Sequence, residues 1–152
     1  MILLDANGGM GVPYGVIAQE DGCYGELPIP YRIGYVFDGW YLGETLIPTD
    51  GSVPITEDCT LVAHWTPITY TVVYHGNGGN AGGQTEVSRT YQGGEIITFG
   101  TLGFMRAGNF ELMGWRTSPT SYRGTFYKLN STASNLAANN GDIVHLYADW
   151  YD

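Results

Sequence analysis

Three short anchors occur twice in this chain, in the same order both times. Asn7-Gly8-Gly9 returns as Asn77-Gly78-Gly79, Gly39-Trp40 as Gly114-Trp115, and Ala63-x-Trp65 as Ala148-x-Trp150. Internal repetition of this kind sets the architecture before any local signal is weighed. The separations are 70, 75 and 85 residues, so the second copy carries about five extra residues before its Gly-Trp and ten more before its final Trp. Growth between copies belongs in loops, and the larger excess falls in residues 116–142, where Ser, Thr, Asn and Gly concentrate. The chain therefore reads as two modules, residues 1–66 and 67–152. Their link, residues 66–69, is short and stiff, because Pro67 cannot continue a strand ladder.

Within each module the hydrophobic pattern is that of strands. ILLDA and YTVVYH open the two copies, YVFDGWYL and NFELMGWRT carry the Gly-Trp anchor, and CTLVAHW and IVHLYADW close them. The stretch LPIPYRIG reads as irregular backbone, since Pro28 and Pro30 each restrict the residue before them. Helix is scarce: with 23 Gly and 12 Tyr, and charged residues at 14%, the chain favours turns and strands. Residues 130–142 alone suggest a single helical turn. Modules of this size are near the lower limit for a self-sufficient core, and large aromatics are the efficient remedy. Trp40, Trp65, Trp115 and Trp150, with Gly39 and Gly114 beside two of them, are accordingly assigned structural roles, and exposed rings at Trp65 or Trp150 are the alternative.

Little catalytic chemistry is legible. The run from Gly76 to Gly83 imitates a phosphate-binding loop, G-x-G-x-x-A after a strand, but that motif needs a following helix. QTEVSRTYQ comes next and alternates as a second strand, so the glycines read as hairpin-turn residues, Asn-Gly tolerating positive φ. His64, His75 and His145 form no metal or nucleophile spacing and are read as unrelated surface histidines. The adjacent pairs Glu20/Asp21 and Glu57/Asp58 point to opposite sides if extended and suit no joint acid–base work. No alternating acids suggest calcium, and no cofactor motif is present. Lys128 is the one lysine, so an isopeptide crosslink is excluded from module one. Six basic residues against 15 acidic ones, net charge −9, argue against nucleic acid. No run is long enough to span a membrane. Cys23 and Cys59 fit either one disulfide in an oxidising compartment or two buried thiols.

LDANGG, YGELPIPYRIGYVFDGWY and TLVAHW in the first module, with YHGNGG, FELMGWRTSPTSYRGTFY and VHLYADW in the second, resemble the Listeria-Bacteroides repeat, a relative of the internalin B repeat of bacterial surface proteins. Module two departs where the family shows its proline stretch, having IITFGTLGFMRAGNF instead, and it resembles the longer variant of the repeat at Gly124, Thr125 and Tyr127. The resemblance implies a mostly β, small β-grasp-like (ubiquitin-like) mixed sheet with little helix, used in tandem as a non-enzymatic stalk or adhesion unit of a longer secreted or wall-attached protein. It implies no cofactor. The partner it implies is a host or neighbouring surface protein, and a glycan stacked on exposed aromatic rings is the alternative.

Overall fold

The computed structural model describes residues 1–17, 22–52 and 54–152. The chain divides into two compact units, Met1–Pro67 and Ile68–Asp152. Among the described residues there are strands, turns and irregular segments but no helix.

The first unit contains β1 (Ile2–Asp5), β2 (Gly15–Val16), β3 (Tyr35–Leu42), β4 (Thr45–Ile47) and β5 (Cys59–Pro67) in one sheet of order β2-β1-β5-β3-β4. β1 runs parallel to β5, and every other pairing is antiparallel. The second unit contains β6 (Thr69–His75), β7 (Glu86–Gln92), β8 (Ile97–Thr98), β9 (Glu111–Arg116), β10 (Phe126–Lys128), β11 (Thr132–Ala133) and β12 (Ile143–Tyr151). Its main sheet has the order β7-β6-β12-β9-β10, again with one parallel pair, β6 with β12. Replacing β6, β7, β9, β10 and β12 by β1 to β5 converts one order into the other. The sequence anchors thus mark one topology built twice.

Each core follows from period-two alternation on one face of the sheet. Ile2, Leu4, Trp40, Leu61 and Ala63 fill the first, joined by Tyr24, Leu27 and Ile47. Val72, Tyr74, Trp115, Leu146 and Ala148 occupy the corresponding places in the second. Among the described residues that core is larger, because Ile68, Tyr70, Phe104, Leu112 and Ala137 are buried in it as well; Ile97 and Phe99 enter it beside a small antiparallel ribbon of β8 and β11. The ribbon lies where a helical turn was expected. Asn130 and Asn135 have φ of 67° and 54°, left-handed values that interrupt a right-handed turn, and the Asn130 N–H bonds to the Phe99 carbonyl instead.

Pro67 also departs from the expected link. It is the last residue of β5 and sits opposite Tyr35, a strand-end place where a missing N–H costs little. Only Ile68 separates β5 from β6, and its side chain is buried in the second core.

Candidate functional site

The feature shared most closely by the two units is a turn clamped by an indole. Asn7 and Asn77 have φ of 48° and 46°, and the next residues, Gly8 and Gly78, have φ of 92° and 105°. Asn is among the few non-glycine residues that adopt this region readily. Each Asn side chain donates from Nδ2 across the sheet, Asn7 to the Ala63 carbonyl and Asn77 to the Ala148 carbonyl, both at 3.0 Å. Two residues beyond, Trp65 Nε1 donates to the Ala6 carbonyl at 2.9 Å and Trp150 Nε1 to the Gly76 carbonyl at 2.8 Å. The glycines are required sterically: a Cβ on Gly9 would overlap the Trp65 ring, and one on Gly79 the Trp150 ring. An arginine closes the other side. Arg32 lies over the Tyr35 ring at 3.8 Å and Arg106 over the Phe110 ring at 3.7 Å, in reach of Gly8 and Gly78 respectively.

The remaining tryptophans are fully buried. Trp40 donates from Nε1 to the Pro28 carbonyl and Trp115 to the Gly100 carbonyl, both at 2.9 Å. A buried indole N–H without an acceptor would be costly, which explains why an irregular segment crosses each ring. Gly39 and Gly114 lie beneath cross-strand neighbours, since an added Cβ would run into Leu46 in one case and into the Tyr127 carbonyl and the Phe126 ring in the other. Trp65 and Trp150 are half-buried against their cores.

The outer faces differ sharply. In the second unit one cross-strand row runs over all five strands: Glu86, His75, Tyr147, Arg116 and Phe126. His75 stacks on Tyr147 with centroids 4.6 Å apart, and Arg116 lies 4.5 Å from the Phe126 ring centre. Arg116 Nε also donates to Asp149 Oδ2 at 2.9 Å, with both side chains about 15% exposed. His75 Nε2 and His145 Nδ1 are 2.9 Å apart, so these two histidines are not the unrelated residues that their sequence positions suggested. Burial, reinforced by His145 and opposed by Glu86, holds the His75 imidazole below its ordinary range. The corresponding row in the first unit is Asp5, Val62, Tyr41 and Leu46, with Tyr41 stacked on His64 at 3.8 Å.

Comparison with known families now gives these anchors a context. Residues 1–64 match the model of the Listeria-Bacteroides repeat domain. The first unit is a Listeria-Bacteroides repeat. Repeats of this family occur in bacterial surface or extracellular proteins and are generally non-catalytic. No curated protein and no solved structure matches the chain.

For the repeat, the turn, the two indole hydrogen bonds and the Gly-Trp bend are framework. Its cysteines are both half-buried, and burial raises the Cys59 pKa, which disfavours a reactive thiolate there. Glu57 and Asp58 are both exposed, whereas Glu20 and Asp21 lie outside the described residues. Among the described residues, no three or more His, Cys, Asp or Glu side chains group as a metal site, and no helix is long and apolar enough to cross a membrane. Sequence reasoning missed the arginine clamps. The signal was present as Arg32-x-Gly34 and Arg106-x-Gly108, but one extra residue before Phe110 and the absence of prolines in the second copy obscured it.

The repeat also exposes apolar side chains along its proline stretch. Ile29, Tyr31 and Ile33 are 70%, 57% and 65% exposed, and Met10, bridged to Tyr31, is 49% exposed. Ile29 further lines an open trough with Phe37, Leu46, Ile47 and Pro48. In the second unit the same bridge joins Asn80 to Met105, and Ala107 stands where the repeat has Ile33.

Proposed function

We propose that this chain consists of two tandem modules of a bacterial cell-surface protein, acting without catalysis as a spacer and as a protein-binding unit. The observation that carries this reading is the contrast between what the second copy retains and what it changes. Topology, clamped turn and buried tryptophans are retained, whereas the outer-face residues are replaced almost throughout. A scaffold duplicated with new surfaces suits a role in which the fold supplies reach and the skin supplies recognition. The apolar stretch Ile29–Tyr31–Ile33 is the face we assign to a protein partner, because exposed apolar clusters rimmed by polar residues mark protein contacts.

Surface plasmon resonance of the whole 152-residue chain against host matrix and cell-surface proteins, with a glycan array in parallel, tests this. A protein ligand should lose affinity at least tenfold for the double variant Ile29→Asp/Ile33→Asp, whose strand content and melting should stay unchanged. Binding confined to glycans would replace the protein-binding reading with a carbohydrate-binding one. Silence in both arms would leave the spacer role alone.

A further inference from the structure

His75 and His145 come from strands at opposite ends of the second unit's sequence, yet the parallel register of β6 and β12 brings them together on the outer face. His145 pairs with Val73 and Tyr147 with His75, so the two imidazoles lie diagonally across adjacent strands. Their rings are nearly parallel, 28° apart, with His75 Nε2 facing His145 Nδ1 at 2.9 Å. Glu86, opposite His75 on β7, places Oε2 3.5 Å from His75 Nδ1. The carboxylate's charge favours the tautomer with its proton on Nδ1, leaving the Nε2 lone pair aimed at His145. His145 is exposed, and a quarter of the His75 side chain is accessible, so an ion can approach from solvent.

We propose that His75 Nε2 and His145 Nδ1 form a surface site for a divalent transition-metal ion of the imidazole-binding class, with Zn2+ as the reference ion and water in the remaining positions. Imidazole nitrogens suit Zn2+, Cu2+ and Ni2+. At Zn–N distances of about 2.0–2.1 Å, tetrahedral coordination sets two ligand nitrogens about 3.3 Å apart. The observed pair therefore has to open by about 0.4 Å, and both rings have to turn about their side-chain torsions so that the two nitrogens point at the ion instead of at each other. Glu86, His75 and the ion then form the carboxylate–histidine–metal arrangement in which the carboxylate fixes the ring and raises its basicity. On binding, His145 gives up its Nδ1 proton and takes one on Nε2, so two neutral imidazoles bind with no net proton release. Of the other outward groups alongside, Tyr147 packs its ring on His75, and the Arg116 guanidinium is already paired with Asp149.

Two ligands from the protein make a modest site, which the ring nitrogens themselves report best. Long-range 1H–15N spectra of the intact chain at pH 7.5, recorded during a Zn2+ titration, should show His75 Nε2 and His145 Nδ1 shifting together with one midpoint. His64, stacked on Tyr41 in the first unit, should not follow that titration. His145→Gln, at an exposed position, should raise the midpoint seen at His75 at least tenfold. Glu86→Gln should raise it about tenfold, at the low end for a carboxylate that orients a ligand. Ring nitrogens that stay still under excess Zn2+, or a His75 response unchanged in His145→Gln, would overturn the site. Because the readout is confined to imidazole nitrogens, zinc captured by Cys23 or Cys59 does not imitate it.

Discussion

The two units share a skeleton and differ in substance. In the first, eight of the described residues are buried in the core, and the turn, the indoles and the Gly-Trp bend carry much of the order. In the second, the same devices surround twelve buried residues, and the β8–β11 ribbon brings Ile97 and Phe99 under the sheet. Additions to a small fold are tolerated where they enlarge the core without disturbing its central pairing. Here both insertions obey that rule, entering between strands of the main sheet and leaving its order unchanged. The surfaces diverge in the opposite sense: the smaller unit exposes isoleucines along its proline stretch, and the larger one carries a row of charged and aromatic side chains.

The sharpest way to break this comparison is to empty one core at a time. Trp40→Ala and Trp115→Ala should each destabilise the unit that carries them by about 3–5 kcal/mol, with a further loss from the Pro28 or Gly100 carbonyl left without its donor. Hydrogen exchange followed residue by residue should show fast opening confined to the mutated unit. Trp40→Ala should leave the first unit mostly unfolded and Trp115→Ala should leave the second partly folded, because the larger core has more in reserve. Equal sensitivity of the two would contradict the larger reserve assigned to the second core.

A smaller effect sharpens the equivalence of the turns. Asn7→Ala and Asn77→Ala should each cost about 1–2 kcal/mol, through the lost hydrogen bond across the sheet and the strain of a positive φ. Asn→Gly at either site should recover the part due to φ and retain the part due to the bond. Urea denaturation of the four variants separates the two contributions: the part due to φ should be equal in the two units, and the part due to the bond larger at Asn77, whose Nδ2 also donates to the Pro119 carbonyl at 3.0 Å.

The smallest expected effect is on pH. His75 titrates below its ordinary value in the folded unit, so the unfolded chain takes up its proton first on acidification. The stability this confers is present in full above about pH 6.5, the ordinary imidazole value, and is lost progressively as pH falls from there to the folded-state pKa. Melting of the second unit should therefore decline with acid more in the native chain than in His75→Gln, as differential scanning calorimetry between pH 7.5 and 5 would record. The first unit should respond alike in both chains.

What the sequence disclosed, and what it hid, follows from the range of each interaction. Strands such as ILLD and TYTVVYH are written locally in alternating apolar residues, and the repeated NGG, GW and AxW mark positions whose chemistry is dictated by one neighbour each. The His75–His145 contact depends on the register of two parallel strands separated by nearly the whole second unit, which periodicity does not encode. β8 and β11 are two residues each, too short to show a period, and residues 130–142 resemble a helical turn by composition while Asn130 and Asn135 take left-handed backbone that forbids one. The correspondence of Arg32 with Arg106 was hidden by a single inserted residue. Exposed Ile29 and Ile33 are legible as apolar, but nothing local says which way they face.

In both sheets the strand that begins the unit runs alongside the strand that ends it, and in the same direction. A tug on the two ends of such a unit pulls neighbouring strands past each other lengthwise, so several backbone hydrogen bonds bear the load at once and must rupture together. A hairpin grasped at its open end would instead unzip bond by bond. Under the spacer role proposed above, that geometry would make tensile strength a property of the topology itself.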